Sequence, residues 1–368
     1  MLSAEKLQRC LENLPVNDRR DIPVLLQLIT YCGVCAGMTQ KEIHESNEKF
    51  QQAKKFTYDT VGYPDADYFL NPGDTCFAEA LPVRRPGIEL GDNELFQFVE
   101  TCNMDLEDYD KIAKDGWDMW NVGYMCRIQN PPVTPDQLFA RWGQLGANGA
   151  ANIGMMKQMG VEPIIGTVCI TPFDALSLIR SFEEFVMDLF DEPDRIHAAI
   201  DRMTDDMIAS TLQQMQGHPI KRIGVFAMRS DANAISPDIF DEFSFPSLKK
   251  MILAFWEAGF TSILHADGNW LPMLDRFHEL PKNSVSFEFD GVTDLRKAYE
   301  IIGGWHSMRG DVSAYQLTYH TEDQIREYCE GLITDLGMKG GFMLGSGCEV
   351  PMSAKAENIA AVIKSVRE

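Results

Sequence analysis

Two spacings of apolar residues divide the chain. Up to about residue 60, AEKLQRCLENL, DIPVLLQLITYCGVC and QKEIHESNEKFQQAKKF repeat apolar positions every three to four residues, which predicts helices. A strand-like run, DADYFL, follows and stops at Pro72 and Gly73, and CFAEALPV and GIEL flank RRPG as a candidate hairpin. Between Asp105 and Gly160 the pattern is helical again. Pro131, Pro132 and Pro135 interrupt it, and Thr134 is the expected N-cap of PDQLFARW. From Glu162 onward short apolar runs alternate with helical segments. The strands expected are EPIIGTVCI, RIGVFAM, TSILHAD, SVSFEF, GWHSMRGD and GGFMLGSG, each followed by an amphipathic helix. Six such units, with DADYFL as an earlier strand, predict parallel strands and right-handed crossovers. The fold class is therefore α/β, a TIM-like (β/α)8 barrel with an N-terminal helical elaboration. The expected division is a helical extension over residues 1–60 and one barrel domain over 61–368. No GxGxxG follows a strand and no P-loop is present, which argues against a dinucleotide-binding sheet.

Charge narrows the partners. Asp and Glu number 55 against 33 Lys and Arg, a net charge of −22, and no Lys/Arg run breaks the excess. Nucleic acid and anionic membrane surfaces are poor partners for such a chain. The nine cysteines are odd in number and irregular in spacing, which fits a reducing compartment. The N-terminus lacks the pattern of a signal peptide and no run approaches 18 apolar residues, so a cytoplasmic protein is expected.

In a barrel the working residues follow the C-terminal ends of the strands. That rule selects Asp231, His265, Asp267, Glu288, Asp290, Asp311, Cys348 and Glu349. His265, Asp267 and Cys348 form the sharpest group. One nitrogen, one oxygen and one sulfur donor suit Zn2+, and three protein ligands leave a fourth position for substrate. The competing explanation is a hydrogen-bonded barrel histidine beside a small buried cysteine. Glu242, Glu257 and His278 are a second-choice ligand set. Trp270, next to Asn269 in HADGNW, is expected to line an apolar pocket; Asp231 and Asn269 are its polar neighbours in substrate binding. Cys32 and Cys35 read as core cysteines, Trp117, Trp120 and Trp142 as packing, and Asp59 as a cap. The GSG before Cys348 suits close approach of a bulky cofactor, with an anion cradle as the alternative.

ISPDIFDEFSFPSLKKM, ILHADGN, FEFDGVTDL, RGDV and GGFMLGSGCEVP, in that order, resemble the uroporphyrinogen decarboxylase-like superfamily over roughly residues 55–368. The resemblance implies a TIM-like barrel and one of two chemistries. Decarboxylases of the family hold a porphyrinogen's carboxylates with N-terminal arginines, and PVLLQLITYCGVCAGMT has none. The other branch contains corrinoid-dependent methyltransferases, whose thiol-methylating members bind zinc through His-x-Cys and a later Cys. His265 and Cys348 match that pattern, and Asp267 replaces the middle Cys. The sequence looks most like methyltransferase I of anaerobic O-demethylase systems. That likeness implies methyl transfer from an aryl methyl ether to the Co(I) corrinoid of a small partner protein. Zinc is expected to take up the charge on the leaving oxygen, with protonation of that oxygen by Asp311 or Glu288 as the alternative. No corrinoid-binding Asp-x-His-x-x-Gly segment occurs, so the cobamide is expected on the partner. Thiol methylation, porphyrinogen decarboxylation and a non-catalytic binding barrel are the alternatives. The assembly is left open, with a homodimer as one option.

Overall fold

The computed structural model describes residues 1–78 and 80–368. Among these residues eight parallel strands are β1 Val24–Gln27, β2 Ala66–Asp67, β3 in two segments (Glu162–Pro163 and Thr167–Ile170), β4 Arg222–Phe226, β5 Thr261–Ala266, β6 Val285–Phe289, β7 Ser307–Val312 and β8 Phe342–Glu349. The hydrogen-bonded order runs from the first segment of β3 through β2, β1, β8, β7, β6, β5 and β4 to the second segment of β3. The sheet thus returns to the stretch of chain on which it began. Between the segments, Ile164 N–H donates to Asp67 at 3.0 Å and Gly166 N–H to Arg222 at 2.9 Å. The Arg222 side chain seals the seam, donating to the carbonyls of Ile164 and Pro163 at 2.6 and 2.7 Å. The result is a closed α/β barrel, as the strand–helix alternation predicts.

The strands form where apolar runs are covered on both faces: every residue of β6 and of β7 is buried. The same property corrects one expectation. VLLQ is not part of a helix; it is β1, buried throughout and paired with both β2 and β8. A boundary at residue 60 therefore cuts through the barrel, and residues 1–60 are not a separate extension. The larger helical elaboration is an insertion between β2 and β3, with helices Glu107–Asp115, Trp117–Ile128 and Pro135–Gln158. Thr134 caps the last of these, accepting from Gln137 N–H at 3.3 Å while the Gln137 amide accepts from Thr134 N–H. The expected hairpin forms with a different partner: Val83–Arg84 pairs with Gln97–Phe98 rather than with GIEL. Trp117, Trp120 and Tyr124 stack within the insertion, and Cys32 is buried beside the half-buried Cys35. No helix of the described residues is long and apolar enough to cross a membrane.

Inside the barrel a small core of Leu25, Ile164, Ile165, Ile263 and Met343 packs with Leu7, Cys10 and Leu11 of the first helix, Ser3–Leu11. That helix lies across the N-terminal ends of the strands. Ser3 and Lys6 reach Asp65, just before β2, at 3.1 and 3.2 Å, and Asn13 donates to Asn283, before β6, at 2.8 Å. One end of the barrel is plugged, and the chemistry-bearing residues gather at the other.

Candidate metal centre

Strand register builds the site. Phe226 on β4 pairs with His265 on β5, His265 with Glu288 on β6, and Glu288 with Arg309 on β7. These four residues form one row on the inner wall, because side chains alternate faces along a strand. The Phe226 ring stacks on the imidazole, 4.8 Å between centroids. His265 Nδ1 meets Glu288 Oε2 at 3.0 Å, which leaves Nε2 facing the mouth. There it lies 3.4 Å from Asp267 Oδ1 and 3.6 Å from Cys348 Sγ.

The three ligand atoms lie within 4.8 Å of one another, and no other such group of three or more occurs among the described residues. Zinc bond lengths of ~2.0–2.3 Å in a tetrahedron place ligand atoms about 3.3–3.8 Å apart. Both His265 distances fall in that range. Asp267 Oδ1 is buried without a hydrogen-bond partner, a costly state that a cation relieves. Burial works against a charged imidazole, yet Asp267 and Cys348 outweigh it and hold His265 well above its ordinary pKa. Burial likewise opposes the Asp267 carboxylate, and His265 draws it below the usual range. The cluster favours positive charge at its centre, whether proton or metal ion.

Neighbouring strands brace each ligand. The Tyr68 hydroxyl donates to Glu288 Oε2, the oxygen that His265 uses, and Arg309 Nε lies 3.5 Å from Glu288 Oε1. Burial would push Glu288 up, but Arg309 and His265 keep it below the usual range, so it is ionised. Arg309 also donates to the Gly347 carbonyl at 3.1 Å, one residue before Cys348. The Asp267 loop is pinned from both sides. Trp270 Nε1 donates to the Asp267 carbonyl at 2.8 Å, Gly268 N–H to Asp290 at 3.0 Å and Asn269 N–H to Asp231 at 2.9 Å. Gly268 has φ +88°, and a Cβ there would stand 2.3 Å from Asp231 Cγ, so glycine is required.

Several expected roles change. Trp270 is fully buried, edge-on to Phe240 at 5.8 Å, and lines no open pocket; its indole N–H holds the ligand loop instead. Asp231 Oδ1 and Asn269 Oδ1 serve the same loop, accepting from Asn269 N–H at 2.9 Å and from Leu271 N–H at 3.3 Å. Asp311 is not brought to the cluster: it accepts from Tyr328 on the outer helix Glu322–Asp335. Glu288 lies behind His265, fully buried, rather than open to a substrate. Glu242 pairs with His197 at 3.4 Å and, like Glu257 and His278, is exposed, so the second-choice ligands do not converge. The GSG glycines admit neighbouring backbone, since a Cβ on Gly345 or Gly347 would strike the carbonyl of Leu25 or Asp290 at 2.1 or 2.5 Å. Asp59 is a surface group bonded to Lys55 and Tyr63. Tyr68, Phe226 and Arg309 escaped sequence reasoning; a lone arginine inside the strand segment HSMRG was the one available signal.

A family model described as uroporphyrinogen decarboxylase (URO-D) matches residues 150–368, which span β3 to the C-terminus. No curated protein matches the sequence. Among solved structures, a methyltransferase from Methanosarcina mazei is similar over 100% of this chain and 98% of that one, with a TM-score of 0.73 and 16% identity.

Proposed function

The chain belongs to the uroporphyrinogen decarboxylase family, and from that premise we propose that it is a methyltransferase moving the methyl group of an aryl methyl ether to the Co(I) corrinoid of a small partner protein, with zinc held by His265, Asp267 and Cys348. The observation that carries the reading is the convergence of imidazole, carboxylate and thiol within 4.8 Å at the barrel mouth. In the proposed transfer the ether's O–CH3 bond breaks, its electron pair stays on oxygen, and the methyl carbon bonds to cobalt. Zinc supplies a Lewis acid for the negative charge that develops on that oxygen.

The protein's own groups prepare this step. Glu288 accepts from His265 Nδ1 and so directs the Nε2 lone pair to the mouth. The half-buried Phe226 offers an apolar face beside His265 for an aromatic ring. Neither Glu288, ionised and enclosed, nor Asp311, on the outer side, is set to protonate the leaving oxygen; a zinc ion held by His265, Asp267 and Cys348 would supply charge stabilisation there instead. β1 and the helix Tyr31–Cys35 bring no arginine to the mouth, which leaves the carboxylates of a porphyrinogen without a clamp there.

The test has two parts. Protein purified without added zinc is expected to hold one zinc per chain, and His265→Ala and Cys348→Ala to lose it while circular dichroism is retained. Under anaerobic conditions the absorbance of a Co(I) corrinoid protein should convert to the methyl-Co(III) form with a methoxybenzene donor. Turnover of uroporphyrinogen without corrinoid would overturn the reading, as would methylation of a free thiol from methylcobalamin with aryl ethers inert.

A further inference from the structure

Behind the barrel wall, Lys54 on the helix Asn47–Val61 and Asp67 at the end of β2 are both fully buried and meet at 2.9 Å. Desolvation of two such charges consumes most of their attraction, so the pair must owe its geometry to the hydrogen bonds around it. Lys54 Nζ donates to the carbonyls of Leu28 and Tyr68 at 2.9 and 2.6 Å. Asp67 Oδ1 accepts from the N–H groups of the same two residues at 3.0 and 2.6 Å, and Tyr58 donates to Oδ2 at 2.7 Å. The pair therefore holds N–H and C=O of two residues leaving β1 and β2 at the mouth end.

Each of those residues leads to a metal ligand. The Tyr68 hydroxyl donates to Glu288, which orients His265. Two residues past Leu28, Thr30 N–H donates to the Glu349 carboxylate at 2.7 Å, and Glu349 directly follows Cys348. Building on the metal reading above, we propose that Lys54 and Asp67 are positioning residues that set the separation of His265 from Cys348, by fixing Tyr68 and Leu28 against each other.

Removing one charge alone would strand the other, so the variant to make is Lys54→Met combined with Asp67→Leu. Tyr68→Phe serves as a second variant that leaves the ion pair intact and cuts one arm. Three readouts are needed: zinc affinity by competition with a chromophoric chelator, the visible spectrum of the cobalt(II)-substituted protein, and thermal unfolding. The double variant is expected to unfold cooperatively yet bind zinc about 10–100-fold more weakly, with shifted cobalt bands; Tyr68→Phe should lose less. A folded double variant with wild-type affinity and spectrum would overturn the proposal. Should that variant fail to fold, Tyr68→Phe decides, and an unchanged affinity and spectrum there overturns it equally. Wild-type protein that binds no zinc would instead remove the metal reading itself, an outcome distinct from any variant effect.

Discussion

Glu288 and Asp311 lie on adjacent strands, both are buried, and each accepts a hydrogen bond from a tyrosine, Tyr68 and Tyr328 respectively. Their pKa values nevertheless shift in opposite directions. Glu288 faces the barrel interior, where Arg309 and His265 overcome the burial penalty and keep it ionised. Asp311 faces the outer helices, burial dominates, and the Tyr328 hydrogen bond recovers only part of the loss; its pKa rises from 3.8 to about 6. Depth alone does not make a catalytic acid or a fixed anion. The cations in reach decide: Arg309 and His265 outweigh burial at Glu288, whereas Arg296 offsets it only in part at Asp311.

Glu288→Gln is the strongest way to break this contrast. It leaves the buried Arg309 guanidinium without its anion, and removal of one partner from a buried pair costs about 3–5 kcal/mol. Urea unfolding should show that loss, together with weaker zinc binding; a change under about 1 kcal/mol would mean that Arg309 is neutralised elsewhere.

The pH dependence sharpens the contrast, because the two groups bend stability in opposite directions. Glu288, with a lowered folded pKa, stabilises above its ordinary value near 4.5 and loses that contribution as pH falls through the folded value. Asp311, with a raised one, stabilises below 3.8 and loses that contribution as pH rises through about 6. The loss amounts to about 3 kcal/mol. Asp311→Asn should flatten stability between about pH 4 and pH 6 relative to wild type, measured by urea unfolding across that window. Parallel curves for the two proteins would refute the raised pKa. Zinc affinity should not change.

The smallest expected effect comes from the tyrosines themselves. Tyr328→Phe should cost about 1 kcal/mol of stability and leave zinc binding untouched. Tyr68→Phe should cost a similar amount of stability and also weaken zinc. Equal zinc affinity in both variants would erase the distinction between the inner and outer carboxylates.

The legibility of the two carboxylates in sequence follows from the same geometry. Strand ends can be read from apolar runs, so His265, Asp267 and Cys348 were found, along with Glu288 and Asp311. Which face a residue takes at the end of a strand cannot be read that way, so Asp311 was assigned to the mouth and Trp270 to an open pocket. β1 was hidden because a short buried run such as Val24, Leu25 and Leu26 looks the same in a helix and a parallel strand. Tyr68 was hidden because its partner lies 220 residues away, and nothing in DADYFL marks a hydroxyl aimed at a carboxylate. The six strand–helix units stood out because each strand is short and followed by a helix with one polar face.

The helix that plugs the strand N-termini turns the barrel into a room with one door. Leu7, Cys10 and Leu11 fill the far side, so a small molecule reaching His265 must enter and leave through the mouth. A corrinoid protein that delivers cobalt to the same opening would cover it. On the proposed reaction, traffic therefore has a compulsory order: ether in first, partner docked second, partner away before the phenol departs. Initial-rate plots should intersect, as in a sequential mechanism, and the phenol, as the last product released, should inhibit competitively against the ether; parallel lines would mean that the phenol leaves before the partner docks.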